Sequence, residues 1–168
     1  MGRPDRGEMT EAAPITVPPE GGAPVWLLGD TYTLKIAGEQ TGGAFALLEA
    51  VAPPRSGPPP HRHLREDETF VVLEGALAFT ANGRTVPVPA GTVIHVPRGV
   101  VHSYTTVSTT PVRMLFLYAP AGMERMFGEI GTPARPGVPA PPATPEDVAK
   151  LLSVAAKYHF EVMEPGDA

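Results

Sequence analysis

The chain has 168 residues, a formal net charge of −5, a hydrophobic fraction of 42% and no cysteine. A chain of this length can form one domain with a single core. Without cysteine it has neither disulfides nor thiolate ligands, so a metal would have to be held by nitrogen and oxygen atoms. The negative charge argues against nucleic acid or an anionic membrane as the main partner.

Residues 1–24 are rich in glycine, proline and acidic side chains and show no hydrophobic period. Such a segment is predicted to be a flexible N-terminal arm, and the alternative is that it swaps onto a neighbouring subunit. No apolar run approaches the ~18 residues of a membrane span. The start of the chain lacks the apolar segment of a secretion signal, so a cytoplasmic location is expected.

Between residues 25 and 119, short apolar stretches alternate with turns rich in glycine and proline. Asn82-Gly83 suits the type I′ turn of a hairpin. The regular spacing of the turns is typical of an all-β sandwich or barrel. The predicted strands are residues 25–28, 31–36, 44–51, 68–73, 77–81, 84–88, 92–96, 101–107 and 112–118.

After Pro120 the hydrophobic period changes from 2 to 3.6, so residues 120–168 are predicted to be a helical extension with two short helices. The apolar stripe of the first helix is Met123, Met126, Phe127 and Ile130. Thr144 and Pro145 supply the N-cap and first turn of the second helix. Its predicted buried stripe is Val148, Leu151, Leu152 and Ala155.

Four side chains in the strand-rich region could bind one metal ion. His61 and His63 are two residues apart, which places both imidazoles on one face of a strand. Glu68 follows after a turn, and His102 must come from a separate strand. Three imidazoles and one carboxylate suit a divalent ion of Fe, Mn, Co, Ni, Cu or Zn, and leave positions for water, substrate or O2. The alternative is a polar lining without metal.

Apolar side chains near these four residues could shape a pocket for a flat aromatic substrate, or could be ordinary core. Met123 and Phe127 could close the pocket as a lid, or pack on the outside of the barrel or across a dimer interface. The candidate pocket residues on the strands are Phe70, Val72, Phe79, Tyr104, Met114 and Phe116.

The other charged residues near the motif have simpler interpretations. His95 is expected to face outward, and His159 to be a cation at the C-terminal end of the last helix. Glu66 and Asp67 are expected to be solvated acids of the loop before Glu68.

The spacing of the candidate ligands resembles the paired motifs of the cupins. The first motif is His61-x-His63-x4-Glu68-x6-Gly75, and the second is Gly91-x5-Pro97-x-Gly99-x2-His102. The resemblance implies a small β-barrel of the jelly-roll type (a double-stranded β-helix) with the metal inside. It also implies that His61, His63, Glu68 and His102 are the metal ligands.

Two positions of the frame depart from the cupin pattern. Arg55 stands where a glycine usually begins the first motif, and Gly57 is displaced by two residues. Thr106 stands where an asparagine often ends the second motif. None of these residues is a ligand in the pattern, so they concern the shape of the loops.

The tail is similar to the C-terminal extension of bacterial quercetin 2,3-dioxygenase-like cupins, at residues 122–134 and 158–162. In such enzymes the metal binds a flavonol, O2 attacks the activated ring, and the ligand glutamate takes the substrate's hydroxyl proton. The resemblance implies a dioxygenase for a flavonol-like or polyketide-like small molecule, with Glu68 as base. The alternatives are a metal-dependent isomerase, epimerase or cyclase that works without O2, and a non-enzymatic binding module. Pairing of exposed strand edges makes a homodimer plausible.

Overall fold

The structure is a computed structural model that describes residues 13–163. A flexible arm was predicted for residues 1–24, and residues 1–12 of it lie outside the described part of the chain. Among residues 13–163 there are two short α-helices, α1 (Glu124–Ile130) and α2 (Pro145–Val154), and a single 3-10 turn at Gly38–Thr41. The strands are β1 (Pro24–Leu27), β2 (Asp30–Ile36), β3 (Ala46–Ala52), β4 (His61–His63), β5 (Asp67–Glu74), β6 (Ala76–Ala81), β7 (Arg84–Pro89), β8 (Val93–Val96), β9 (His102–Thr106), β10 (Val112–Ala119), β11 (Thr132–Pro133) and β12 (Phe160–Val162).

The strands form two antiparallel sheets. The larger sheet has the order β11-β1-β2-β3-β10-β5-β8, and the smaller one β12-β4-β9-β6-β7. Across residues 13–163 these two ladders do not join into one closed ring of hydrogen bonds. Their inner faces pack together, as the rings of Phe70 and Phe79 show with 5.5 Å between their centroids. The predicted all-β jelly-roll class is therefore confirmed, and its strands are arranged in two sheets that face each other.

Alternation of apolar and polar residues determines which face of each strand is buried. On β10 every second residue from Val112 to Tyr118 is buried, and on β5 the buried set includes Glu68 and Phe70. In the register between them, Tyr118 lies opposite Glu68 and Phe116 opposite Phe70. A slip of one residue would turn both sets to solvent, so this pattern also places Glu68 in the interior.

The hairpin predicted at Asn82-Gly83 is confirmed. Asn82 has φ +49° and Gly83 has φ +72°, which are the two left-handed residues that a type I′ turn requires. The turn joins β6 to β7, and Ala81 lies opposite Arg84 in their register.

Both predicted helices are confirmed, and the predicted buried stripe of α2 is right for Leu151 but wrong for Val148 and Leu152. Leu151 and Val154 are buried, whereas Val148 is 41% and Leu152 53% exposed. The difference arises because α2 packs along a narrow strip near its C-terminal end. Within residues 13–163 no helix is long and apolar enough to cross a membrane.

The chain after α2 returns to the smaller sheet, which the sequence pattern did not predict. Phe160 lies opposite His63 in the antiparallel pairing of β12 with β4. Glu161 lies 2.6 Å from the guanidinium of Arg62 on the outer side of this pair. The tail thus forms an additional strand directly beside the two histidines of β4.

Candidate metal centre

Three strands bring the four candidate ligands together. β4 carries His61 and His63, β5 carries Glu68, and β9 carries His102, which lies opposite His61 in the sheet. Each residue offers one nitrogen or oxygen atom, and these atoms all lie within 4.8 Å of one another. The cluster is enclosed, because three of its four members are at most 3% exposed.

The hydrogen bonds of two imidazoles determine which nitrogen faces the cluster. Nδ1 of His61 lies 2.9 Å from the carbonyl oxygen of Pro59, and Nδ1 of His102 lies 3.0 Å from that of Val100. A carbonyl oxygen only accepts, so each Nδ1 carries a hydrogen, and the nitrogen that faces the cluster is Nε2 in both rings. Nε2 of His61 keeps its lone pair in the neutral ring, whereas Nε2 of His102 donates to Glu68 and would give up that proton to bind a metal.

Electrostatics favours a neutral His61 beside an ionised Glu68. Burial, together with the neighbouring imidazoles, lowers the pKa of His61 to about 3. Burial alone would raise the pKa of Glu68, but the charges of His63 and His102 and the hydrogen bond from His102 outweigh it and hold that pKa well below its usual range. Glu68 Oε2 lies 2.9 Å from Nε2 of His102 and 3.2 Å from Nε2 of His63.

The donor set fits a divalent metal. Both ring nitrogens of His63 are buried without a hydrogen-bond partner, which is costly unless another group satisfies them. An ion inside the cluster would satisfy Nε2. Three nitrogens and one carboxylate are compatible with most first-row divalent ions, so this cluster could bind a metal whose identity the ligands do not determine.

The loop before β4 and its contacts with β9 contain the positions that depart from the cupin pattern. Arg55 has φ +65°, the left-handed conformation in which glycine would be favoured. A Cβ on Gly57 would lie 1.9 Å from the carbonyl oxygen of Tyr104. Thr106 Oγ1 donates to Pro53 O at 2.6 Å and accepts from the amide of Ser56 at 2.9 Å. These contacts fasten the loop to β9.

An apolar cavity that opens to solvent lies beside the cluster. His61, His63 and Glu68 form part of its wall. Among the pocket residues predicted from the sequence, those on this wall are Phe70, Tyr104, Phe116, Met123 and Phe127. Met123 and Phe127, for which packing on the outside of the barrel was the alternative, therefore face the cavity.

Val72, Phe79 and Met114, which were also predicted for the pocket, lie in the core and do not line this cavity. Val72 and Met114 lie opposite each other on β5 and β10, two residues along each strand from Phe70 and Phe116. The larger rings of Phe70 and Phe116 separate them from the cavity. Phe79 stacks against His102, with ring centroids 5.9 Å apart and planes at 19°. It therefore supports a candidate ligand from behind.

The sequence analysis missed several residues that line the cavity, and four of them, Tyr118, Tyr32, Leu151 and Phe160, are large side chains. Tyr118 continues the inward alternation of β10, so the period of that strand could have identified it. Tyr32, Leu151 and Phe160 come from β2, α2 and β12, and no local pattern connects those elements with the cavity.

The interpretation of Glu66 as a solvated loop acid was wrong, because it is 1% exposed. Its Oε2 atom is buried without a hydrogen-bond partner, and burial raises the pKa of its carboxyl group. Asp67 does face solvent, where Arg98 donates to it through Nε at 3.0 Å. His95 is exposed as expected, with Nδ1 3.0 Å from Thr69 Oγ1.

Residues 47–118 match the protein family described as Cupin domain. A quercetin 2,3-dioxygenase of Bacillus subtilis (strain 168) is 29% identical over 108 residues, which are 64% of this chain and 32% of that protein. The chain thus spans about a third of the length of this curated relative. The matched family segment contains all four candidate metal ligands.

Solved structures share the fold at lower identity. A predicted oxalate decarboxylase from Thermotoga maritima has a TM-score of 0.58 and 24% identity, and the match covers 63% of this chain and 99% of that chain. KdgF from Halomonas sp. has a TM-score of 0.52 and 15% identity, with 58% and 85% covered. At these identities the likeness concerns the fold and not the activity.

Proposed function

We propose, from the premise that this chain carries a cupin domain, that it is a metal-dependent dioxygenase for a flat aromatic small molecule such as a flavonol. One observation carries the proposal: the His61, His63, Glu68 and His102 cluster lies at the wall of an apolar, aromatic-lined cavity. A cavity of this kind favours planar apolar ligands, and a few polar groups inside it orient them. The naming of the Bacillus subtilis relative as a quercetin 2,3-dioxygenase supports the choice of reaction.

A divalent ion bound by the cluster would polarise a substrate oxygen as a Lewis acid. Glu68 is then the base that accepts the proton of the substrate's hydroxyl group. Its place at the cavity wall puts its carboxylate within reach of a substrate in the cavity. Proton transfer by a positioned side chain contributes roughly 10²- to 10⁴-fold to a rate.

The cavity wall orients the substrate and excludes water. Phe70 and Phe116 pack with ring centroids 4.8 Å apart, and Tyr32 packs on Phe127 of α1 at 4.7 Å. Offset and tilted aromatic contacts of this kind would hold a planar ring system in place. A dry site also strengthens the electrostatic interaction between Glu68 and a developing charge.

The decisive experiment adds flavonols without O2 to protein loaded separately with each candidate metal, and then admits O2. We expect a spectral change on binding, followed by O2 uptake and a ring-cleaved product. Absence of all three across several flavonols and metals would contradict the proposal. Turnover without O2 would instead indicate the isomerase, epimerase or cyclase alternative, and binding without any turnover a non-enzymatic module.

Matched variants separate the role of Glu68 from that of the fold. Glu68→Gln keeps the size of the side chain and removes the base, so we expect turnover to fall at least about 100-fold. His95→Gln changes an exposed histidine outside the cluster and is expected to retain full activity. Elemental analysis of both proteins tells loss of the base apart from loss of the metal.

A homodimer and a cytoplasmic location stay predictions of the sequence. β7 and β8 are edge strands of the two sheets, and Val93 on β8 is 61% exposed. An edge with exposed apolar residues can pair with a second copy. Analytical ultracentrifugation across a range of concentrations checks the predicted dimer.

A further inference from the structure

A buried carboxyl group near the cavity has no cationic partner among the side chains of residues 13–163. Asp30 is 2% exposed and takes part in no ion pair there. Burial of a carboxyl group without a cation costs free energy unless hydrogen bonds replace its water. Three hydroxyl groups supply these bonds. Tyr32 lies 3.3 Å and Tyr104 3.4 Å from Oδ2, and Ser56 donates to Oδ1.

The four residues come from three separate parts of the fold. Asp30 begins β2 after a tight turn, and Tyr32 follows two residues later on the same face. Tyr104 belongs to β9 in the other sheet. Ser56 lies in the loop that Thr106 fastens to β9. The Asp30 cluster, as we name Asp30, Ser56, Tyr32 and Tyr104, therefore spans the gap between the sheets.

Two members of the Asp30 cluster reach the cavity, since Tyr32 and Tyr104 both line it. Tyr104 is two residues from His102 on β9, which separates them by roughly 7 Å along the strand. The ring of Phe70 lies near both, 5.9 Å from the ring of His102 and 6.1 Å from that of Tyr104. The cavity thus has two polar regions, the metal cluster and the tyrosine pair, with an aromatic wall between them.

The direction of the hydrogen bonds defines what the tyrosine pair can recognise. Each tyrosine hydroxyl has one hydrogen, and in this arrangement it points to Asp30. The two hydroxyls also hydrogen-bond each other, which uses one lone pair, and the lone pairs that remain can accept a hydrogen bond from a ligand. A ligand with a hydroxyl at this place would be bound, whereas a group that only accepts would find no donor.

We propose that the hydroxyls of Tyr32 and Tyr104, oriented by Asp30, form a second recognition site that accepts a hydrogen bond from a phenolic hydroxyl of the substrate. The inference rests on the proposed function, because the flat aromatic ligand is taken from it. It narrows the substrate class to planar aromatic molecules with two polar features. One is the oxygen pair that meets the metal, and the other is a phenolic hydroxyl farther along the ring system.

The test measures binding and needs no turnover. Zinc-loaded protein is titrated without O2 with 3-hydroxyflavone, which has only the metal-binding oxygen pair, and with derivatives that carry one extra hydroxyl at the 7 or the 4′ position. We expect one derivative to bind about tenfold more tightly than the parent, the value of one good hydrogen bond. In Tyr32→Phe that preference, measured as the ratio of the two affinities, should fall to about twofold or less.

Two further variants act as controls. Tyr104→Phe removes the other hydroxyl and should reduce the preference in the same way, so the result does not depend on one variant. Tyr158→Phe removes a hydroxyl that donates to Glu129 away from the cavity, and it should keep the full preference. Thermal unfolding of each variant verifies that it is folded.

The outcomes separate this inference from the proposed function. Equal affinity of all three ligands for the wild type, or an unchanged preference in both cavity variants, would overturn the second recognition site and leave the proposed function standing. Failure of every flavone to bind the zinc-loaded protein would overturn both.

Discussion

At the scale of single residues, the loop that leads into β4 depends on one close backbone approach. Gly57 lies against the carbonyl of Tyr104 so tightly that a Cβ would be 1.9 Å from its oxygen. This approach sets the path of the prolines that follow, and Pro59 provides the carbonyl that orients His61. The position of the first ligand therefore depends on a residue that binds nothing itself.

We expect Gly57→Ala to lower the free energy of unfolding by about 2 to 3 kcal/mol, since the new methyl group must displace backbone and not a flexible side chain. The control is Gly128→Ala on α1, where a Cβ would meet nothing within 4 Å. Removal of a helical glycine should stabilise by about 0.5 to 1 kcal/mol. Urea denaturation measures both, and equal effects would contradict the backbone argument.

Asp30 should give the stability a pH dependence. Burial raises its pKa from 3.8 to about 6 in the folded protein, and the bonds from Ser56, Tyr32 and Tyr104 oppose that rise only in part. Between these values the folded state keeps a proton that the unfolded state has released. The free energy of unfolding must therefore fall as pH rises through this window.

The variant Asp30→Asn removes this titration and keeps the shape of the side chain. We expect the stability of the variant relative to the wild type to rise between about pH 4 and pH 7, and to level off above the folded pKa. Urea denaturation of both metal-free proteins over this range measures the difference. A difference that is constant with pH would show that Asp30 is not the group responsible.

At the scale of elements, α2 is a short helix with few buried side chains that nevertheless contributes Leu151 to the cavity wall. Isolated helices of about ten residues are marginal in water, so its ends matter. Thr144 Oγ1 accepts from the amide of Asp147 at 3.2 Å, and the Asp147 carboxylate accepts from the amide of Thr144 at 3.0 Å. This reciprocal pair is a capping box.

Thr144→Ala should cost about 1 kcal/mol of stability, whereas Thr144→Ser keeps the cap and should cost little. Because the cap holds the first turn of α2, hydrogen exchange should accelerate there more than in the sheets in the alanine variant. Thermal unfolding and hydrogen exchange measure the two effects. Uniform acceleration across the whole chain would argue that the helix does not open by itself.

At the scale of the whole molecule, the metal cluster joins the two sheets, since Glu68 belongs to the larger sheet and the three histidines to the smaller one. An ion held between them would stabilise the folded state by a free energy that grows with the logarithm of the ion's concentration above its Kd. At a hundredfold excess over its Kd the gain is about 2.7 kcal/mol, which corresponds to a rise in Tm of about 5 to 10 °C.

We expect this metal-dependent rise in Tm to disappear in His63→Gln and to persist in His95→Gln. Both variants replace a histidine by glutamine, but only His63 belongs to the cluster. Differential scanning fluorimetry with and without chelator measures the shift for each candidate metal. The same rise in both variants would place the binding elsewhere in the chain.

Most of the strands and the four candidate ligands could be predicted from the sequence. Strand alternation, the Asn82-Gly83 turn and the spacing of His61, His63 and Glu68 are local features, and short-range geometry determines them. The structure then brought in His102 from β9 within 4.8 Å, which only the paired motifs of a known family had indicated.

The tertiary structure alone decided what surrounds these ligands. Asp30 and Tyr104 are 74 residues apart in the chain, and Phe160 reaches His63 only because β12 pairs with β4. Glu66 is buried by its neighbours in space, although its sequence context is polar. Burial and pairing of this kind depend on long-range packing, which hydrophobic periodicity in one segment does not contain. The sequence alone therefore determined the candidate ligands, and the packing of the two sheets decided the cavity beside them.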